Sequence, residues 1–192
     1  MSETVPTSWL VYCRPGFESD ALAELQHHAA LQGIPCESSH GEGWVSLTRV
    51  DGEAVNDLHR QAAFKKLIFA RQSLAALPAL TLSRDDRLTA ILEQVKASRW
   101  SFEEIWHETP DTNDGKALAG LIKALTKPLE SMLKKRGALR RSAGARRLHI
   151  FWTDGDQVQL AMSFPGNRSD LINGIRRLRF PSRAPSRSTL KL

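Results

Sequence analysis

The side chains best suited to chemistry in this 192-residue sequence are its six histidines, its two cysteines and the carboxylates near them. Their spacing assembles little. His27 and His28 are adjacent, so on a helix they diverge by about 100° and cannot share one metal. Cys13 and Cys36 lie far apart with no ligand pair at zinc spacing, and no metal site is expected. Glu103 and Glu104 are neighbours that a strand sends to opposite faces, which excludes a paired-carboxylate centre. His107-Glu108 could do acid–base work, although an exposed strand end accounts for them equally well. There is no P-loop, no Gly-x-Gly-x-x-Gly and no nucleophile elbow, and Gly41-Glu42-Gly43 reads as a turn. No catalytic residue is expected.

What the sequence offers instead is cation density. Residues 1–133 carry 13 Lys/Arg against 18 Asp/Glu, a net of −5, whereas residues 134–192 carry 14 against 3, a net of +11. Asymmetry of this size points to a polyanion, because each Lys or Arg placed near a phosphate releases condensed counterions. The candidate contacts form two groups: Lys134, Lys135, Arg136, Arg140, Arg141, Arg146 and Arg147, then Arg176, Arg177, Arg179, Arg183 and Arg187. The competing reading is a solvated basic face. Trp9, Trp44 and Trp152 lie in apolar strand segments and read as core. Trp100 and Trp106 stay open between core and base stacking, and Phe164 and Phe180 sit among basic residues where a nucleotide could stack.

The elements that must position these residues follow from hydrophobic period and turn chemistry. Trp9–Cys13 reads as a buried strand and Arg14-Pro15-Gly16 as a turn; a helix runs from Phe17 on Leu22, Leu25 and Ala29 and ends at Gly33. Gly43–Thr48 alternates as a strand, Asp51–His59 reads as a helix with Asp51 at its N-cap, and Leu67–Ala70 as a further strand. This β-α-β-α-β order predicts an open-faced ferredoxin-like α/β sandwich. Leu77–Ser83 looks like a boundary. Beyond it come a helix over Asp85–Ser98, a strand over Phe102–Glu108, a capping-rich loop at Asp111–Gly115 and a long helix interrupted by Pro128. Leu148–Trp152 and Val158–Met162 flank Asp154-Gly155, a hairpin signal. The resulting α+β division is a first unit at 1–78, a second at 79–179, and an extended linker at 180–192.

With 41% hydrophobic residues and a mean hydropathy of −0.34, the chain reads as globular, and no run approaches the ~18 apolar residues of a membrane span. A membrane partner is therefore not expected. The first residues lack the basic and apolar regions of a signal peptide, and two cysteines suit a reducing cytoplasm.

Several strings together resemble one family. They are Cys13-Arg-Pro-Gly-Phe-Glu18, Leu67-Ile-Phe-Ala-Arg-Gln72, Asp111-Thr-Asn113, Arg177-Leu-Arg-Phe-Pro181 and Ala184-Pro-Ser-Arg-Ser-Thr-Leu-Lys-Leu192. In matching order along nearly the whole chain, they are similar to the front of the bacterial 23S ribosomal RNA cytidine 2′-O-ribose methyltransferases. Arg176 departs from the family pattern, which would place a proline there. The resemblance implies a ferredoxin-like unit, a THUMP-like RNA-binding unit and then a Rossmann-like catalytic domain that this sequence would stop short of. It implies S-adenosylmethionine as cofactor of the complete enzyme and maps one cofactor contact here, Ser188, with no cofactor expected to bind these residues alone. The implied partner is 23S ribosomal RNA or a large-subunit assembly intermediate. A stand-alone, non-catalytic RNA-binding adaptor is the alternative. The oligomeric state is not legible in the sequence.

Overall fold

The computed structural model describes residues 3–141 and 143–176. Strand β1 (Ser8–Tyr12) leads into helix α1 (Glu18–Leu31), the hairpin β2 (Cys36–Gly41) and β3 (Trp44–Arg49), helix α2 (Asn56–Gln61) and β4 (Gln72–Ala76). These strands pair antiparallel in the order β2-β3-β1-β4, which is the ferredoxin-like arrangement. The second half contributes β5 (Leu80–Thr81), α3 (Arg87–Ser98), β6 (Glu104–Glu108), α4 (Asn113–Ala117), α5 (Ala119–Lys135), β7 (Arg147–Trp152) and β8 (Gln157–Ser163). The predicted hairpin at Asp154-Gly155 is the β7–β8 connection.

All eight strands belong to one sheet, ordered β2-β3-β1-β4-β8-β7-β6 with β5 also on β8. The halves meet at β4 and β8, through Ala75 opposite Met162 and Ala76 opposite Ala161. Alternation along the strands separates two faces. On the helix face, Trp9, Val11, Val45 and Leu47 pack with Ala21, Leu25 and Leu58, and Leu148, Ile150, Trp152 and Leu160 pack with Ile91, Val95, Leu129 and Leu133. Fully buried side chains of this size each contribute about 1.5–3 kcal/mol. The other face carries Leu10, Tyr12, Leu74, Phe151 and Ala161.

The residues after β8 form a strap that starts beside α2 and ends on this second face. Asn167 accepts from Phe64 N–H and donates to the His59 carbonyl (2.6 and 2.9 Å), and Ser169 exchanges two hydrogen bonds with the Gln72 side chain. Gly174 lies against the Arg71 carbonyl with φ +65°, so a Cβ there would collide with the backbone. The strap thus binds the first half to the second.

Four local expectations change. Leu67–Ala70 is not a strand: a 3-10 turn at Phe64–Lys66 precedes it, and Ile68 and Phe69 N–H donate to the Glu24 carboxylate rather than to a strand. The strand in that position is β4. Asp51 does not cap α2; it pairs with Arg49, and α2 begins five residues later. Cys36–Gly41, polar and unassigned by period, is the edge strand β2. Asp111–Gly115 is partly helical, Thr112 accepting from Gly115 N–H to start α4. No helix among the described residues is long and apolar enough to cross a membrane.

Candidate nucleic-acid interface

The site begins where α3 ends. Arg99 takes a left-handed conformation (φ 54°) and turns the chain so that Trp100 and Ser101 lie beside the C-terminal end of α5. A cavity of about 510 Å³ opens there, lined by Glu93, Lys96, Arg99, Trp100, Arg136 and Arg140 among others. A second, of about 240 Å³, lies past Trp100 and is lined by Arg60 and Asn56 of α2, Arg146 and Phe164, with Glu3 as its one carboxylate among the described residues. Arg99 and Trp100 line both, so the two cavities adjoin at these residues, with side chains from both halves of the chain along the groove they make.

Charge in this groove is poorly matched. Arg136 pairs with Glu93 at 3.1 Å, and Lys96 reaches the same carboxylate at 3.9 Å. Arg140 and Arg146 both donate to the single Ser101 hydroxyl, at 3.3 and 3.2 Å. Among the described residues, neither of them, nor Arg60 or Arg99, has a carboxylate within 4 Å. Helix C-termini favour nearby cations by about 0.3–1 kcal/mol, which accounts for Arg60, Arg99 and Arg136. It does not account for Arg140 and Arg146, which lie on the loop after α5.

The sequence candidates divide among different surroundings. Arg136, Arg140 and Arg146 enter the groove. Lys134 and Arg141 line a neighbouring hollow of about 390 Å³, which Arg140 also lines, shared with Glu103, Glu104 and Glu130, where carboxylates oppose a phosphate. Lys135 is exposed outside both, and Arg176 is exposed at the end of the strap. Arg147 departs from the expected surface contact: its side chain is 6% exposed, and its guanidinium lies 3.4 Å over the centre of the Trp106 ring and pairs with Glu104 at 2.7 Å. Arg177, Arg179, Phe180, Arg183, Arg187 and Ser188 lie outside the described residues, as does the predicted linker at 180–192. Sequence reasoning missed Arg60, Lys96 and Arg99, isolated cations in the acidic half; the one available signal was their position at helix C-terminal ends.

The other chemical candidate is sealed. Glu108 is buried, not at an exposed strand end. It accepts from Tyr12 O–H (3.0 Å), His149 Nδ1 (2.6 Å) and Asn173 N–H (2.7 Å), while His149 Nε2 meets Ser163 at 2.7 Å. Burial alone would raise the carboxyl pKa, but His149 and the donated hydrogen bonds outweigh it and hold Glu108 below its ordinary value. Tyr12 is pushed well up by burial and the adjacent carboxylate. His107 lies on the helix face, accepts from Trp152 Nε1–H at 3.2 Å, and is pushed down to about 4 by burial. Glu108 and His149 are both fully buried among the described residues, and the cluster ties β1, β6, β7, β8 and the strap together. No group of three or more His, Cys, Asp and Glu among the described residues could hold a metal.

Residues 7–74 match the RlmM ferredoxin-like domain, and residues 86–164 match the N-terminal domain of ribosomal RNA large subunit methyltransferase M. Ribosomal RNA large subunit methyltransferase M of Chromohalobacter salexigens is 61% identical over 97% of this chain and 53% of its own length; that of Marinomonas sp. is 44% identical over 95% and 53%. The chain spans about half the length of the curated relatives it matches. Among solved structures, TrmN from Thermus thermophilus aligns with a TM-score of 0.51 at 20% identity over 84% of this chain and 46% of that one, a likeness of fold. With both domain models matched in order and full-length relatives aligned along almost every residue, the chain belongs to the ribosomal RNA large subunit methyltransferase M family and corresponds to its N-terminal part.

Proposed function

We propose that this chain is the RNA-recognition part of a methyltransferase acting on the ribose 2′-hydroxyl of a cytidine in 23S ribosomal RNA, met free or within a large-subunit assembly intermediate. In this reading residues 1–78 form the ferredoxin-like unit, 79–179 a THUMP-like unit and 180–192 a linker. The observation that carries the RNA assignment is the pair Arg140 and Arg146, two guanidiniums on one neutral hydroxyl with no carboxylate within 4 Å among the described residues. Like charges held together without compensation favour a polyanion, and phosphate contacts of this kind set position rather than sequence.

S-adenosylmethionine would supply the methyl group in the whole enzyme. The described residues do not fit it. Their one parallel strand pair is β6–β7, and at its end both oxygens of Glu108 are engaged. Ser188 alone would make no pocket, so these 192 residues on their own should neither bind the cofactor nor methylate RNA. Cytoplasmic residence belongs to the same reading.

A salt series with structured ribosomal RNA tests it. Changing Arg99, Arg140 and Arg146 together to Gln should flatten the log–log salt slope by roughly two to three units, each phosphate contact contributing ~0.9. Changing Lys134 and Lys135 to Gln should flatten it less. Equal slopes for the arginine variant and the parent would remove the groove as the contact surface.

A further inference from the structure

We propose that the groove holds one unpaired nucleotide, its base stacked on Trp100 and its flanking phosphates on Arg99, Arg140 and Arg146. This deepens the RNA reading above and rests on it. The chain has five tryptophans, and four of them have a ring neighbour. Trp9 meets His28 edge-on, Trp44 meets Phe151, and Trp152 is stacked with His107. Trp106 carries Arg147 on its face and His149 at its edge. Among the described residues no ring or guanidinium stacks on Trp100, although it lies at the junction of two cavities and is half-buried. Phe164, the other aromatic of the groove, is already engaged by Arg60 and His59.

The dimensions fit a nucleotide and not a duplex. The larger cavity offers about 510 Å³, within the ordinary range for a small-molecule pocket. A duplex presents phosphates but keeps its bases stacked on each other, leaving nothing for an indole inside a groove. A splayed base exchanges that stacking for an aromatic side chain, while the arginines around it neutralise the backbone on either side. Asn56 adds a second feature: its Oδ1 is buried and unpartnered in the wall of the smaller cavity, an acceptor available to a base amino group or a ribose hydroxyl. The ligand class is therefore single-stranded or locally unpaired RNA.

The experiment compares fluorescent single-stranded nonadenylate with the same strand annealed to oligouridylate, using the 192-residue chain at low salt. The parent should prefer the single strand, and binding should quench tryptophan fluorescence. Trp100→Leu, which keeps an apolar side chain against the core, should weaken single-strand binding by about 5- to 150-fold, from the usual strength of base–aromatic stacking, and leave duplex binding unchanged. Trp100→Phe should bind nearly as the parent does but lose the quenching, a readout that survives if the leucine variant folds poorly. Trp106→Phe should alter neither binding nor quenching. Equal affinity for strand and duplex, or quenching that persists in Trp100→Phe, would overturn the nucleotide site and leave the phosphate surface standing. Absence of binding to either RNA would overturn both readings.

Discussion

Arg146 and Arg147 are neighbours in sequence, each beside a tryptophan, yet they stand in opposite electrostatic situations. Arg147 lies on Trp106, paired with Glu104 and within 3.9 Å of Asp170, on the face that also carries His149, Glu108 and Tyr12. Every charge in that row has a partner. Arg146, one residue earlier, lines the groove with Trp100, where its guanidinium finds a serine hydroxyl and the Ala143 carbonyl. The comparison separates a structural arginine from a proposed binding one by the company of the charge, not by residue type. A matched, covered guanidinium ties strands together, and an unmatched one beside a half-buried indole is the kind proposed above to meet an anion.

The largest effect expected from breaking the comparison is on the closed side. Glu108→Ala should cost about 3–5 kcal/mol, because it leaves His149, Tyr12 and Asn173 N–H buried without their acceptor. Urea unfolding measures this, and the RNA salt slope of the still-folded protein should not change. Arg147→Gln should cost about 1–3 kcal/mol and spare the salt slope, whereas Arg146→Gln should stay within about 0.5 kcal/mol and flatten the slope by about 0.9. A reversed pair of results would remove the distinction.

Acid sharpens the same contrast. Burial pushes His59 and His107 from 6.5 down to about 4. The unfolded chain therefore binds more protons than the folded one between pH 6.5 and 4, and stability falls as pH drops through that window. Each histidine adds up to about 1.4 kcal/mol per pH unit. His59→Leu should remove roughly half of this slope in thermal melts at a series of pH values. A small effect belongs to Glu104→Gln, under about 1 kcal/mol, since that carboxylate is half exposed and Asp170 stays near Arg147.

Much of the frame was legible because apolar period is a local property. Trp9, Val11, Leu148, Ile150, Trp152 and Leu160 announce their strands, and Asp154-Gly155 announces its turn. What period cannot carry is polarity imposed by tertiary context. Cys36–Gly41 pairs as an edge strand although four of its six residues are exposed, and Leu67–Ala70 looks like a strand although the Glu24 carboxylate takes its N–H groups from 44 residues away. The groove failed to show for the same reason. Its cations come from α2, the end of α3 and the loop after α5, and only the fold brings Arg60, Arg99 and Arg146 to one place. Charge density located the loop; it could not tell Arg146 from Arg147.

The joint between β4 and β8 also sets an order of events during synthesis. β4 has its inner edge on β1, but the outer edge waits for Leu160, Ala161 and Met162, about ninety residues further along. At roughly 5–20 residues per second, a nascent first half stands with an unpaired, apolar strand edge for about 5–20 s. Such an edge templates pairing with any other chain. The sequence Gln72–Ala76 is thus the place where a slow ribosome, or a ribosome stalled before β8, would turn this protein toward aggregation.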